Sequence, residues 1–299
     1  MKFRLVELLQ CVRCQGPLDV AADKSSLRAI SSGESFSCRQ YCGRHHTTVM
    51  PSSADCADCN KTDIESGFLK CRACGHTYRI VDSIPWLVDE ALEQSDRRLS
   101  GTVALYSHLW TDFAPAALSG KTHLDEVEGT LGESVVQGRI GLDAGSGSGE
   151  DTLAMASRHP CTEIVSLDIS KGVYEIRRRT AELPNVHVVR ASVLSIPLKP
   201  NLCDFVYSFG VLHHTTNPKR GLQEIVRVLK AGGPTFLYLY EDHEDNPWKA
   251  FPLKLVTALR QVTTRMNPKL LSAACYVLSP FVVLVFSLPA KLLGKFRWT

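Results

Sequence analysis

Apolar runs alternate with helical stretches along residues 139–240. The strand-like runs cover residues 139–142, 163–167, 186–189, 205–207 and 235–240. Alternation of this kind is typical of a parallel sheet whose strands are joined by crossover helices. The pattern therefore predicts an α/β domain over about residues 136–245.

A helical pattern precedes this domain, over residues 91–135. Leu105, Leu109 and Phe113 recur at intervals of four, and the aromatic residues Tyr106 and Trp110 lie beside them. This spacing indicates a helix. Two interpretations stay open, because the segment can act as a lid over a bound ligand or simply pack on the core. Residues 1–90 are rich in turn formers and predict a small separate module.

The last segment, residues 246–299, contains no acidic residue but eight Lys or Arg. Its residues 270–290 carry no charge, although Pro280 and Pro289 interrupt them. One apolar helical face is formed by Phe251, Leu255, Leu259, Val262 and Met266, and the run 281–286 reads as a strand that lacks a partner. Two interpretations stay open, an anchor at an anionic membrane surface or a helical lid that buries its apolar face internally.

Eight of the eleven cysteines fall in the first quarter of the chain, all in close pairs: Cys11 and Cys14, Cys38 and Cys42, Cys56 and Cys59, Cys71 and Cys74. A two-residue spacer lets two thiolates bind one tetrahedral zinc ion. Two such pairs complete one site, so the eight cysteines suffice for two sites. His45, His46 and His76 are available as substitutes for a thiolate. The pattern does not fix which pairs combine, and redox-active or merely buried pairs are the alternative interpretation.

The cysteine usage and the net charge of the chain limit the range of functions that the sequence allows. Arg4 and Glu7 interrupt the first ten residues, which therefore lack the pattern of a secretory leader. We expect a reducing cytoplasm, where paired cysteines usually bind metal. The formal net charge is +3, and two four-thiolate zinc sites would lower it to about −1. The sequence therefore gives no strong signal for nucleic-acid binding.

A glycine loop follows the first strand-like run. Asp143 precedes Gly145, Gly147 and Gly149, and the spacing G-x-G-x-G differs from the G-x-G-x-x-G of dinucleotide sites. Glu150 and the acidic residue after it would repel a pyrophosphate at the start of the next helix, but not a cationic ligand. Asp168 follows Gly149 by nineteen residues, which is about where a carboxylate accepts ribose hydroxyls.

The motifs LDAGSGSGE, SLDIS, FVYSFGVLHH and VLKAGG resemble, in order and spacing, those of class I S-adenosylmethionine-dependent methyltransferases. This resemblance covers about residues 100–240 and implies a Rossmann-like sheet. The segments LLQCVRCQGPLDV and GFLKCRACGHTYRIVDSIPWLV resemble the small zinc ribbon that serves as an activator subunit of tRNA and protein methyltransferases. That resemblance implies one zinc ion on Cys11, Cys14, Cys71 and Cys74. The insert that contains Cys38, Cys42, Cys56 and Cys59 departs from the pattern of that family.

The methyltransferase resemblance also implies a set of cofactor contacts. Asp143 and the backbone of Gly145 and Gly147 would hold the amino-acid part of S-adenosylmethionine, and Gly149 would permit close helix packing. Asp168 would bind the ribose. The adenine and sulfonium contacts implied are Ser192, Val193 and Phe209. Many members have Asp at the position of Ser192, so we expect a weaker adenine contact here.

Methyl transfer from a sulfonium mainly requires alignment in a water-poor pocket. Where a general base is needed, His213 or His214 after the fourth strand is the candidate. The alternative is that His213 shapes the cofactor pocket and His214 caps a loop or helix. The sequence predicts methyl transfer to a small or lipophilic acceptor, with RNA methylation or a non-catalytic binding role as the competing functions.

Overall fold

The computed structural model describes residues 1–27, 36–49, 59, 61–88, 97–113, 122–136, 139–240, 254, 256–259, 262–263 and 266–288. The chain divides into two compact units, Met1–Tyr240 and Glu241–Thr299. The first unit contains the predicted cysteine module, the helical segment and the α/β domain. The second begins close to the predicted boundary at residue 246.

The N-terminal part of the first unit is a short helix followed by mostly antiparallel strands. Its elements are α1 (Phe3–Leu8), β1 (Leu18–Leu27), β2 (Tyr41–Cys42), β3 (Thr47–Thr48), β4 (Thr62–Cys71), β5 (Thr77–Val81) and β6 (Ile84–Leu87). Helix α2 (Arg97–His108) comes next and continues into a wider π-type turn, Leu109–Phe113. The helical prediction for this segment is therefore confirmed where the structure describes it.

The remaining elements of the first unit alternate between strand and helix, as the apolar pattern predicted. They are α3 (Leu124–Leu131), α4 (Glu133–Val136), β7 (Ile140–Ala144), α5 (Glu150–Arg158), β8 (Glu163–Asp168), α6 (Gly172–Arg179), β9 (Val186–Ala191), β10 (Phe205–Phe209), α7 (Pro218–Val228) and β11 (Thr235–Tyr238). All five predicted strands are present. Every residue of β7, β8 and β9 is buried, which explains the near-continuous apolar runs.

Nine strands of the described chain form one sheet, in the order β1-β4-β5-β6-β9-β8-β7-β10-β11. The strands from β6 to β11 in this order are parallel neighbours, and those from β1 to β6 are antiparallel. The junction is the pairing of β6 with β9, which aligns Trp86 with Arg190 and Leu87 with Ala191. The cysteine module and the α/β domain therefore share a single sheet.

Buried polar groups also join the module to the domain. Lys2 Nζ donates to the carbonyl oxygens of Leu183, Pro184 and Val186 at 3.0, 2.6 and 3.0 Å. These backbone groups lie on the approach to and at the start of β9. The lysine therefore ties the first residues of the chain to the strand that meets β6.

A buried ion-pair network lies beside this lysine. Arg4 on α1 donates from Nε and Nη2 to the two carboxylate oxygens of Glu163 at 2.9 and 3.0 Å, and it also bonds Glu7. His187 Nε2 lies 2.8 Å from Glu163 Oε1. Burial opposes ionisation of Glu163, but hydrogen bonds from His187 and Arg4 hold the pKa of this carboxyl well below its usual range. Burial lowers the pKa of His187 to about 4.

The second unit contains helix α8 (Pro268–Val282), which continues into a π-type turn over Val283–Ser287. The strand expected over residues 281–286 is therefore wrong. A lone strand would leave its backbone groups unpaired, whereas a helix satisfies them within the segment. Of the predicted amphipathic face, Phe251 and Leu255 lie outside the described residues. Among the residues described, no helix is both long and apolar enough to cross a membrane.

Candidate functional site

The glycine loop between β7 and α5 adopts a backbone that other residues rarely adopt. Gly145, Gly147 and Gly149 have φ of 96°, 57° and 84°, all in the left-handed region. A Cβ added to Gly145 would lie 2.4 Å from Val211, and one added to Gly149 would lie 2.7 Å from Ile176. The loop therefore requires glycine for both conformation and space.

Asp143 lies at the end of β7, just before this loop, and is buried. It accepts a 2.6 Å hydrogen bond from the Thr152 hydroxyl on α5. Burial raises the pKa of Asp143 to about 8, an effect that the Thr152 hydrogen bond opposes and the nearby charge of Asp151 increases. A positive ligand group placed here would shift the carboxyl back toward its ionised form.

Asp168 ends the neighbouring strand β8 and is held by backbone donors. Gly147 N donates to its Oδ2 and Ser170 N to its Oδ1, both at 2.8 Å. Burial raises the pKa of Asp168, although these hydrogen bonds oppose the effect.

A cleft of about 770 Å³, part of it open to solvent, runs along the carboxyl ends of the parallel strands. This is the edge where α/β sheets bind their ligands. Of the residues predicted to bind a cofactor or act in catalysis, those that line the cleft are Gly145, Asp168, Ser192, Val193, Phe209 and His214. Asp143, Gly147 and Gly149 lie in or next to the glycine loop at one end of it.

The two histidines predicted as candidate bases occupy different positions. They share a single 3₁₀ turn, Leu212–His214, that follows β10. His214 lines the cleft, and its ring centroid lies 5.5 Å from that of Tyr106. The ring of His213 packs on Tyr240 at 4.0 Å. The structure therefore distinguishes two residues that the sequence left equivalent.

Aromatic residues of the helical segment close one side of the cleft. Tyr106 and Trp110 line it, and a Cβ on Gly147 would lie 2.9 Å from the Trp110 ring. Leu105 and Leu109, on the same segment, are exposed. Of the two interpretations given above, this arrangement favours the one in which the segment acts as a lid that covers a bound ligand.

Sequence reasoning missed a histidine–carboxylate pair beside Phe209. His123 donates from its backbone N to Asp151 Oδ1 at 2.6 Å, and its Nδ1 lies 3.1 Å from Oδ2 of the same carboxylate. The imidazole stacks on Phe209 with centroids 3.5 Å apart, and Tyr238 stacks on Phe209 at 4.2 Å. No spacing rule joins positions 123 and 151, so only the tertiary structure reveals this contact.

Four of the predicted metal ligands converge in the N-terminal module. The Sγ atoms of Cys11, Cys14, Cys71 and Cys74 all lie within 4.8 Å of one another, with separations of 3.7 Å from Cys11 to Cys74 and 3.4 Å from Cys14 to Cys71. Four thiolates bound tetrahedrally at about 2.3 Å would lie about 3.8 Å apart. The geometry fits one zinc ion.

A second cluster lies in the insert. Cys42 Sγ is 3.6 Å from Cys59 Sγ, and His45 Nδ1 lies 3.4 and 3.8 Å from the two sulfur atoms. Cys38 is buried but lies outside this described group of three, and Cys56 falls outside the described residues. His45, named above as a substitute ligand, therefore approaches the pair, whereas the complete ligand set stays a prediction.

Two families match separate parts of the chain. Residues 142–237 match the family described as "Methyltransferase domain", and residues 2–83 match the family described as "Trm112p-like protein". The first range contains the glycine loop, Asp168 and the cleft residues from Gly145 to Thr216. The second contains both cysteine clusters.

Curated relatives match parts of the chain. A demethylmenaquinone methyltransferase of Clavibacter sepedonicus is 35% identical over 38% of this chain and 46% of its own length. The ubiquinone/menaquinone biosynthesis C-methyltransferase UbiE of Syntrophotalea carbinolica is 31% identical over 52% of this chain and 65% of its own length. Across the first four such relatives, the matched part is 25% to 65% of the relative.

Among solved structures, a complex between the Haloferax volcanii Trm112 methyltransferase activator and a protein described as a methyltransferase is 21% identical, with a TM-score of 0.38. It covers 48% of this chain and 65% of that one. A SAM-dependent methyltransferase from Aquifex aeolicus is 25% identical, with a TM-score of 0.30, and covers 32% of this chain and 53% of that one. The chain therefore contains a region similar to Trm112p-like proteins, followed by a region similar to methyltransferase domains, which holds the glycine loop and Asp168.

Proposed function

We propose that this protein transfers a methyl group from S-adenosylmethionine to a small, lipophilic acceptor. The observation that carries the proposal is the cleft, which brings the glycine loop, Asp168, Ser192 and Phe209 to one edge of the sheet. When bound there, S-adenosylmethionine supplies a methyl group already activated by the sulfonium charge. The protein's task is then alignment and exclusion of water.

The residues around the glycine loop fit this cofactor chemically. Asp143 would face the ammonium of the methionine part, together with the backbone of Gly145 and Gly147. The Ser146 hydroxyl is buried, and no described residue bonds it, so it is available to a polar group of the ligand. Gly149 lets α5 pack closely, which positions the amide groups at the start of that helix.

The middle of the cleft would hold the nucleoside. Asp168, which lines the cleft, would accept hydrogen bonds from the ribose hydroxyls. The Ser192 hydroxyl accepts from Leu194 N at 3.1 Å, so its own proton is available to donate to adenine. Val193 supplies apolar contact to the base, and Phe209 lies toward the sulfonium.

The acceptor class follows from the cleft mouth and the relatives. Tyr106, Trp110, Phe209 and His214 give the mouth an aromatic lining, which suits a flat or lipophilic molecule better than a charged polymer. Relatives named as demethylmenaquinone and menaquinone methyltransferases support the same class. Because the zinc-loaded chain would be near neutral, RNA methylation is the weaker candidate.

For an acceptor that must lose a proton, His214 is the better placed of the two candidate bases. It lines the cleft, whereas His213 packs on Tyr240 and would support the position of the turn. A neutral imidazole can accept a hydroxyl proton near pH 7. His213 would then be a positioning residue.

The N-terminal module would act as a scaffold. A zinc ion on Cys11, Cys14, Cys71 and Cys74 would have four protein ligands and no open position for chemistry. The Cys42, His45 and Cys59 cluster would hold a second ion, completed by Cys38 or Cys56. Since thiolate sites of this kind persist in reducing surroundings, the proposal places the protein in the cytoplasm, with membrane-surface contact through residues 246–299.

The test combines mass spectrometry and calorimetry on the purified, zinc-loaded full chain. We expect one or two zinc ions per chain, and binding of S-adenosylhomocysteine that falls at least tenfold in Asp168→Asn, because the ribose loses an ionised acceptor. Reduced demethylmenaquinone with a short side chain serves as the acceptor probe, with methylated product as the readout. Failure of the loaded wild-type protein to bind the cofactor would instead support a non-catalytic role.

A further inference from the structure

The second unit has the composition of a segment that meets lipid. Residues 246–299 contain eight Lys or Arg and no acidic residue, and residues 270–290 contain no charge at all. The uncharged run is thus flanked on both sides by positive charge only. Anionic lipid headgroups are complementary to such flanks, and the acyl region is complementary to the run between them.

Within the described part of α8, the central residues are exposed. All eleven residues from position 275 to 285 are exposed, and at 3.6 residues per turn they cover every side of the helix. Val277 is 78% exposed, Leu284 is 70% exposed and Tyr276 is 69% exposed. A helix of a water-soluble domain buries one apolar stripe and exposes a polar one. Here the exposed surface is apolar all round.

A proline interrupts the backbone hydrogen bonds of α8. Pro280 has no N–H, so the carbonyl of Tyr276 lacks its helical donor. The Ser279 hydroxyl donates to that carbonyl at 3.3 Å. Serine satisfies freed backbone groups in this way within helices that lie in lipid.

We infer that α8 and the π-type turn after it dock into the surface of an anionic lipid bilayer. The inference rests on the proposed function, because a lipophilic methyl acceptor would be found in the bilayer. Docking of α8 would bring the protein to that bilayer. Apolar side chains from Leu270 to Leu288 would enter the acyl boundary. The lysines and arginines on either side would lie among the headgroups.

The experiment is co-sedimentation of the zinc-loaded full chain with vesicles. One set contains phosphatidylcholine mixed with phosphatidylglycerol, and the other contains phosphatidylcholine alone. We expect binding to the anionic set, weaker binding to the neutral set, and a decrease as NaCl rises, because salt screens the headgroup attraction. Val277→Glu should lower the partition coefficient at least tenfold, since a buried valine contributes about that factor and a carboxylate resists transfer.

Val226→Glu is the matched control, because Val226 on α7 is also a largely exposed valine, at 61%. It should sediment like the wild type. The inference is overturned if the wild type stays unbound with both vesicle sets, or if Val277→Glu and Val226→Glu bind alike. It is also overturned if α8 instead mediates concentration-dependent self-association that Val277→Glu abolishes without lipid. S-adenosylhomocysteine binding, measured on the same samples, tests the proposed function separately.

Discussion

The pKa of Asp143 makes cofactor binding depend on pH. Burial raises this pKa to about 8 in the free protein, so the carboxyl is about nine tenths protonated at pH 7. An ammonium placed beside it favours the ionised form and typically lowers such a pKa by about 2 units. Binding at pH 7 should then release about 0.8 proton.

The same shift sets how the affinity changes with pH. A fall of about 2 units corresponds to roughly 100-fold in the binding constant, or about 2.7 kcal/mol. The sign follows from the released proton: the affinity falls as pH decreases from 8 to 6. Below about pH 6 the free and bound forms are both protonated, and the dependence should level off.

Calorimetry with S-adenosylhomocysteine measures the proton directly. Titrations at one pH in buffers of different ionisation enthalpy give the number of protons released as the slope of the observed enthalpy. The ligand's own amino group titrates near pH 8, so Asp143→Asn is the required comparison. Asparagine keeps an oxygen for the Thr152 hydroxyl and removes only the titrating proton.

Two results would refute this reasoning. If Asp143→Asn releases as many protons as the wild type, the linked group is elsewhere. If the wild type releases fewer than about 0.2 proton relative to the variant at pH 7, Asp143 either is already ionised in the free protein or does not meet the ammonium.

Further expectations concern stability and the glycine loop. Glu163→Ala removes one of the two carboxylates that pair with the buried Arg4 guanidinium and leaves only Glu7, so it should lower the free energy of unfolding in urea by up to about 3 kcal/mol, whereas Glu163→Gln should cost less. Because the pKa of His187 is lowered to about 4, its contribution to stability is complete above pH 6.5 and is lost as pH falls from 6.5 to 4, by about 3 kcal/mol. A pH profile that is unchanged in His187→Gln would contradict this. Gly149→Ala should cost about 1–2 kcal/mol and weaken cofactor binding. Gly129→Ala, inside α3, where an added Cβ meets nothing within 4 Å, should leave cofactor binding unchanged and raise the stability by about 0.5–1 kcal/mol.

The features that the sequence predicted are those that depend on residues close together along the chain. The five strands of the α/β domain were predicted because they read as apolar runs, which in β7, β8 and β9 reflects burial on both faces. The glycine loop was predicted because a left-handed backbone at Gly145, Gly147 and Gly149 leaves few other residue choices. The cysteine pair at Cys11 and Cys14 was predicted because a two-residue spacer lets two thiolates bind the same metal ion.

Contacts between distant positions were not predictable in the same way. The pairing of Trp86 with Arg190 and the contact of His123 with Asp151 join segments that no spacing rule connects. The run 281–286 was predicted to be a strand, but a helix satisfies its backbone groups within the segment. Choosing between His213 and His214 likewise required knowing which ring faces the cleft.

The shared sheet determines how the Trm112p-like domain relates to the rest of the first unit. Without β6, the strand β9 would become an edge with unpaired backbone groups, although all its residues are buried. Removing α1 would also leave Glu163 without its arginine. The β6–β9 pairing ends at Leu87 and Ala191, immediately before Ser192 in the cleft. The Trm112p-like domain therefore supports the cofactor site structurally. A metal ion bound by all four cysteines would order β4, and β4 would act on the cleft through β5, β6 and β9.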